Sequence, residues 1–280
     1  MNLPGLKLDA LKAASLRSIN QRLSNLLLEA LNDSLPRFHT RPEYVPMLVA
    51  DAGALVSLSG YSWGREYGVL VVNHFLLGLG WWNDPSCKSL RSILNAPGLT
   101  QDEWLALLTV KALAYRSEWQ CRLVSMHDIT VGLLRLPDGQ CDDEQLWRSL
   151  QQVLSLRDIP DDEQHACYCC YEADACERYA LPAINHVNLN DNEIRGYRYY
   201  GKRLPQPSDD LRNLPSLSRS RVLAHILLAI TFGRHFHRNP LFTHWVAVID
   251  DAGTAADLGQ TLARQLANHQ RALKEPSPHD

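Results

Sequence analysis

No stretch of this chain stays apolar for the ~20 residues that crossing a bilayer takes. The two most apolar stretches, Tyr67–Pro85 and Arg221–Pro240, are interrupted by Asn73, His74 and His225. Cysteine is sparse and odd in number, seven in 280 residues, whereas secreted disulfide scaffolds are short and Cys-dense. The first twenty residues lack a continuous apolar core and a small-residue cleavage pattern, so a cytoplasmic protein with reduced thiols is expected. Neither sign of charge dominates. A net charge of −3 argues against a general nucleic-acid binder and against a protein of anionic membrane surfaces. Three catalytic signatures are missing as well: a phosphate-cradling glycine loop, a Gly-x-Ser-x-Gly elbow and a His-Glu-x-x-His pair.

What the sequence does contain is helix. Leu8, Leu11, Leu16, Ile19, Leu23, Leu26, Ala30 and Leu31 recur at helical steps and predict an amphipathic helix ending near Pro36. Met47–Leu58 reads as a short helix, with Gly53 against it. Asp84-Pro85 is a cap followed by a first-turn proline. Thr100 and Glu103 form a capping box for a helix through Tyr115, and Glu118–Leu136 reads as a separate helix with Ile129–Leu136 open to an extended reading. Acids open two more helices, Asp142–Leu156 and a Cys-rich one from Asp161 to about Leu181. Pro182–Leu214 is the longest irregular stretch. Ser216–Arg238, a helix from Pro240 and Leu258–Leu273 complete the chain. The expectation is an all-α helical bundle of about ten helices, residues 1–280 forming one domain, with Val69–Leu79 and Val222–Phe232 at its centre because both are apolar nearly all round.

Setting Pro85 against Pro240 also places Gly78 on Gly233, Gly98 on Gly253, Arg116 on Arg271 and Trp81-Trp82 on Phe236-His237. Residues 67–116 and 222–271 are therefore a candidate pair of diverged helical repeats. Convergent punctuation among all-helical proteins gives the same pattern.

Four clusters invite a functional reading. Cys167, Cys169, Cys170 and Cys176, with His165, have poor spacing for a zinc tetrahedron, since neighbours on a helix point about 100° apart. The stripe Ala166, Cys169, Ala173, Cys176, Ala180 reads instead as a small-residue packing face, and no metal or cofactor is expected. Arg234-His-Phe-His-Arg238 is a basic-aromatic cluster at a predicted helix C-terminus. Cations there complement the helix dipole, and they also suit an acidic partner or a phosphate. Tyr197-Arg-Tyr-Tyr-Gly-Lys-Arg203 offers Tyr197, Arg198, Tyr199, Tyr200 and Arg203, the side-chain types that anchor protein interfaces; the plainer reading is a loop pinned by buried tyrosines. His127-Asp128 resembles the adjacent His and Asp of the HD-type metal phosphohydrolases, which bind a metal that activates water; here Thr130 and Val131 stand where that family commonly has glycine and lysine.

Arg238-Asn-Pro-Leu-Phe242, followed by Trp245, resembles the all-helical immunity proteins that bacteria keep beside secreted antibacterial toxins. That resemblance implies a non-catalytic protein that binds a cognate toxin and occludes it. The candidate protein-binding residues are Tyr197, Arg198, Tyr199, Tyr200, Arg203, Arg234, His237 and Arg238. The expected partner is a protein, with no membrane and no nucleic acid. The alternatives are a metal phosphohydrolase using His127 and Asp128, and an adaptor or chaperone of a secretion system.

Overall fold

A computed structural model describes residues 8–31, 35, 40–61, 64–136, 143–181, 195–196, 199–200, 211 and 214–274. Among the described residues the fold is all-α, with ten α-helices and no strand. They are α1 (Leu8–Leu31), α2 (Tyr44–Leu58), α3 (Gly64–Leu77), α4 (Lys88–Leu94), α5 (Gln101–Arg135), α6 (Asp143–Leu156), α7 (Asp161–Arg178), α8 (Ser216–Phe232), α9 (Thr243–Asp251) and α10 (Ala255–Lys274). Two pairs of 3-10 turns, Trp81–Asn83 with Pro85–Cys87 and Phe236–Arg238 with Pro240–Phe242, lead into α4 and α9. No described helix is long and apolar enough to cross a membrane.

The chain divides into two compact units. The first comprises residues 1–121, 232–246 and 271–280. Its core gathers Leu27 of α1, Val45, Leu48, Val49, Ala52 and Val56 of α2, and Tyr67, Leu70, Val71 and Leu77 of α3, closed by Trp81, Cys87 and Leu90. Gly53, unfavourable for α2 by propensity, has a packing reason. A Cβ there would collide with the Tyr67 hydroxyl, which donates to Asn20 Oδ1 at 2.6 Å. The capping box forms as the sequence predicts: the Thr100 amide donates to the Glu103 carboxylate at 2.8 Å, and the Glu103 amide to the Thr100 hydroxyl at 3.4 Å.

The second unit comprises residues 122–231 and 247–270. At its heart Ala224–Thr231 of α8 is buried without interruption, as the all-round apolar pattern predicts. Arg221, one turn earlier, donates to the carbonyls of Ile249, Asp250 and Ala252 at 3.2, 2.9 and 3.1 Å. It thereby satisfies the free carbonyl end of α9 and complements its dipole. Where α5 and α10 meet, a Cβ on Gly259 would collide with the Leu134 carbonyl, so the backbones approach closely.

Three local expectations differ from the structure. The two helices predicted on either side of Arg116-Ser117 are one, the 35-residue α5, and Ile129–Arg135 is helical. Nothing between Gln101 and Val131 is proline or glycine, and Gly132 costs only about 1 kcal/mol. Second, α8 ends at Phe232, not at Arg238. Gly233 takes φ 99°, which breaks the helix, and 3-10 turns follow. Third, of the stripe Ala166, Cys169, Ala173, Cys176, Ala180 only Cys176 is buried; Cys169 is half-buried and the three alanines are exposed. The packed face of α7 is instead Gln164, Cys167, Tyr168, Tyr171, Glu172, Ala175 and Cys176.

Candidate protein-binding face

The site is built where the two 3-10 pairs of the first unit meet. Helix α3 ends at Leu77, and Gly78 (φ 104°) turns the chain; Gly233 (φ 99°) does the same after α8. The two glycines lie against each other. A Cβ at Gly78 would sit 3.1 Å from the Phe232 carbonyl and 3.4 Å from Gly233 Cα. One at Gly233 would sit 3.2 Å from the Leu77 carbonyl and 3.5 Å from Gly78 Cα. Only residues without a side chain allow both the turn and the contact.

After each glycine comes an Asx residue of nearly the same conformation, Asp84 at φ −82°, ψ 121° and Asn239 at φ −82°, ψ 118°. Asp84 Oδ1 accepts from the Ser86 amide at 2.9 Å, and Asn239 Oδ1 from the Leu241 amide at 3.0 Å. The carboxylate has a second oxygen and uses it across the junction: Asp84 Oδ2 accepts from the Arg234 amide at 2.7 Å. Asp84 is 2% exposed, and both of its carboxyl oxygens meet backbone donors inside the protein.

Asp84 thereby ties the turn after Gly233 to the turn after Gly78. Arg234 Nη1 donates to the Asn83 carbonyl at 2.8 Å, and Arg91 Nη1 to the neighbouring Trp82 carbonyl at 3.3 Å. The half-buried Trp82 meets His74 at 4.4 Å between ring centres and 83° between planes. His74 Nδ1 accepts from the Gly80 amide at 2.8 Å, which makes Nε2 the protonated nitrogen of a neutral ring. Burial pushes the His74 pKa down to about 3, with a smaller contribution from the charge of His235. Gly80 (φ 68°) leaves room for that neighbour: a Cβ there would lie 2.5 Å from His235 Cδ2. His237 is half-buried beside Phe236 and His235, and Arg238 is exposed.

Of the residues singled out from the sequence, Arg234 therefore comes together with Asp84 and Asn83, while His237 and Arg238 follow on the same 3-10 turn. Tyr199 and Tyr200 are 84% and 73% exposed, which removes the reading of a loop pinned by those two tyrosines. Tyr197, Arg198 and Arg203 lie outside the described residues. Arg91 and Trp82 were missed by sequence reasoning, being about 150 positions from the basic cluster. The one available signal was the alignment of Asp84 with Asn239.

His127 and Asp128 belong to a different arrangement, inside the second unit. His127 Nδ1 donates to the Leu123 carbonyl at 2.5 Å and Nε2 accepts from His269 Nδ1 at 2.9 Å. Burial lowers the His127 pKa, against the opposing pull of the Leu123 carbonyl and the Asp128 charge. Asp128 accepts from Gln270 Nε2 at 2.7 Å. Both members of the pair thus clamp α5 to α10. Among the described residues no group of three or more His, Cys, Asp or Glu side chains is placed to hold a metal ion. In α7, Cys169 is half-buried, with Sγ 3.6 Å from His165 Nδ1 one turn earlier, while Cys167 and Cys176 are buried. No protein-family model, curated protein or solved structure matches this chain.

Proposed function

We propose that this is a non-catalytic protein-binding protein, an immunity protein of bacterial cytoplasm that neutralises a toxin by covering it. The observation that carries the reading is the face around Asp84. There, a buried carboxylate and a glycine pair join the turn carrying Trp82 to the turn carrying Arg234, His237 and Arg238, and Arg234 and Arg91 each donate to a carbonyl of the first turn. Preorganised aromatic and arginine side chains are the common anchors of tight interfaces, because little freedom is lost on binding. Occlusion needs no chemistry from the protein, only a rigid face that fits. The Arg238–Phe242 segment, which with Trp245 resembles helical immunity proteins, follows directly on the turn that carries Arg234. Tyr199 and Tyr200 are a second candidate contact.

The test is co-expression with the toxin encoded beside the protein's own gene, reading cell survival. Protection by the wild-type chain, lost when Trp82 and Arg91 are both changed to Ala, is the expected result. No protection, together with a metal-dependent phosphatase activity abolished by Asp128→Ala, would overturn the reading in favour of a hydrolase.

A further inference from the structure

We infer that Cys169, with His165 as its base, is a reactive thiol that forms a mixed disulfide with a small-molecule disulfide. The inference does not depend on the protein-binding reading. Of the cysteines, Cys141 lies outside the described residues, and access separates the others. Cys87, Cys167 and Cys176 are buried, Cys169 and Cys170 are half-buried, and Cys121 is exposed. A reachable thiol also needs a group that takes its proton, because the thiolate is the nucleophile and only roughly a few per cent of an ordinary thiol ionises at pH 7. Cys169 has such a group. His165 lies one turn earlier on α7, with Nδ1 3.6 Å from Cys169 Sγ. With the ring hydrogen on Nε2, Nδ1 accepts the thiol hydrogen. The imidazole is backed by α6: Trp147 meets it at 6.4 Å between ring centres and 72° between planes, and meets the buried Tyr168 at 5.6 Å and 89°. Glu172, three residues beyond Cys169, is buried and accepts from the Tyr168 hydroxyl at 3.0 Å. One turn either side of Cys121 stand Ser117 and Ser125, and of Cys170 Ala166 and Asp174, none of them a base of imidazole strength.

The step is thiol–disulfide exchange. Cys169 Sγ gives its proton to His165 Nδ1 and attacks one sulfur of the small disulfide. A new S–S bond to Cys169 forms as the disulfide's own S–S bond breaks. The leaving thiolate takes the proton from His165 and departs as a thiol. The small disulfide is the oxidant, and the imidazole ends in the state in which it began.

The test treats the full chain at pH 7 with excess hydroxyethyl disulfide and follows each cysteine by peptide mass spectrometry. Cys169 should be modified faster than Cys121, by about threefold or more, although Cys121 is the more exposed. The gain in thiolate outweighs the lower nucleophilicity that accompanies it. Dithiothreitol should return Cys169 to the thiol. Two variants separate the proton from the packing. His165→Gln keeps a hydrogen-bonding side chain and His165→Phe keeps a ring against Trp147, but neither takes up a proton. Each should slow Cys169 by about threefold or more and leave Cys121 unchanged. Cys87, Cys167 and Cys176 report folding in the same experiment, since they react only when the core opens. Cys169 no faster than Cys121 in the wild-type chain overturns the inference, and this comparison decides the matter even if both variants unfold. A folded His165→Gln or His165→Phe chain that keeps the wild-type rate at Cys169 overturns it as well.

Discussion

Gly78 and Gly233 are the residues on which the candidate face depends most directly, since each is left-handed and each occupies the space a side chain on the other turn would need. Gly78→Ala and Gly233→Ala should each destabilise the protein by about 1–2 kcal/mol from the backbone alone, and by more once the methyl meets a carbonyl. The sites share one contact, so the double variant should cost less than the sum of the singles. Urea midpoints of the three variants check this, and strict additivity would mean that the contact carries no energy. His74 gives a pH signature. Its pKa is about 3 in the fold against an ordinary value of 6.5. Between those values the unfolded chain binds a proton that the folded one refuses. The stability from burying His74 is thus fully present above pH 6.5 and is lost as pH falls toward 3, at up to ~1.4 kcal/mol per pH unit. His74→Gln can still accept from the Gly80 amide, and it should flatten the dependence of the urea midpoint on pH between 6 and 4. An unchanged slope would show that His74 is not the group responsible.

At the scale of elements, starts were easier to read in the sequence than faces. Asp84-Pro85 and Thr100-x-x-Glu103 mark helix starts by local hydrogen bonding, and the structure places caps at both. The face of α7 was not legible from spacing, because two helical stripes compete there. The stripe containing Tyr168 and Tyr171 is buried, since two aromatic rings remove far more apolar area from water than three alanines do. The continuity of α5 was hidden for another reason. Its buried positions, Leu105, Leu108, Ala112, Trp119, Leu123, Met126 and Leu133, keep to one helical stripe throughout. The polar run Arg116-Ser117-Glu118 interrupts the apolar residues and resembles a break when only composition is read. Ser117 is exposed, in mid-helix, where a true break would tolerate proline. Ser117→Pro should therefore cost about 3 kcal/mol or more, through the lost hydrogen bond and the clash with the preceding turn. A thermal midpoint within error of wild type would refute the single helix. The basic cluster of the candidate face was legible as composition. Its contact with Asn83 and Asp84 was not, because a contact across 150 positions leaves no local trace.

At the scale of the whole molecule, neither compact unit is a contiguous piece of chain. The boundary between them is crossed at 121/122, 231/232, 246/247 and 270/271. The crossings fall within α5, α8, α9 and α10. The first unit therefore receives from late in the sequence the residues that complete its early ones. Asp84 depends on the Arg234 amide, Gly78 packs on Gly233, and Thr40 donates to the Leu241 carbonyl at 3.3 Å. A fragment of residues 1–121 would keep α1 to α4 and most of the apolar core. It would leave the buried carboxylate of Asp84 without the Arg234 donor, a loss of about 1.5–3 kcal/mol for a hydrogen bond to a charged group. The apolar surface that residues 232–246 cover would also face water. Since small folds are stable by only 5–15 kcal/mol, these losses together should leave the fragment without a fixed tertiary structure, although much of its helix can persist. Expressed alone, residues 1–121 should give far-ultraviolet circular dichroism with helical character and a poorly dispersed amide NMR spectrum. Adding a peptide of residues 230–248 in excess should sharpen that spectrum if the junction is what is missing. A fragment that is well dispersed by itself would show that the late segment is dispensable for the fold, and that the face around Asp84 is assembled on a scaffold already complete.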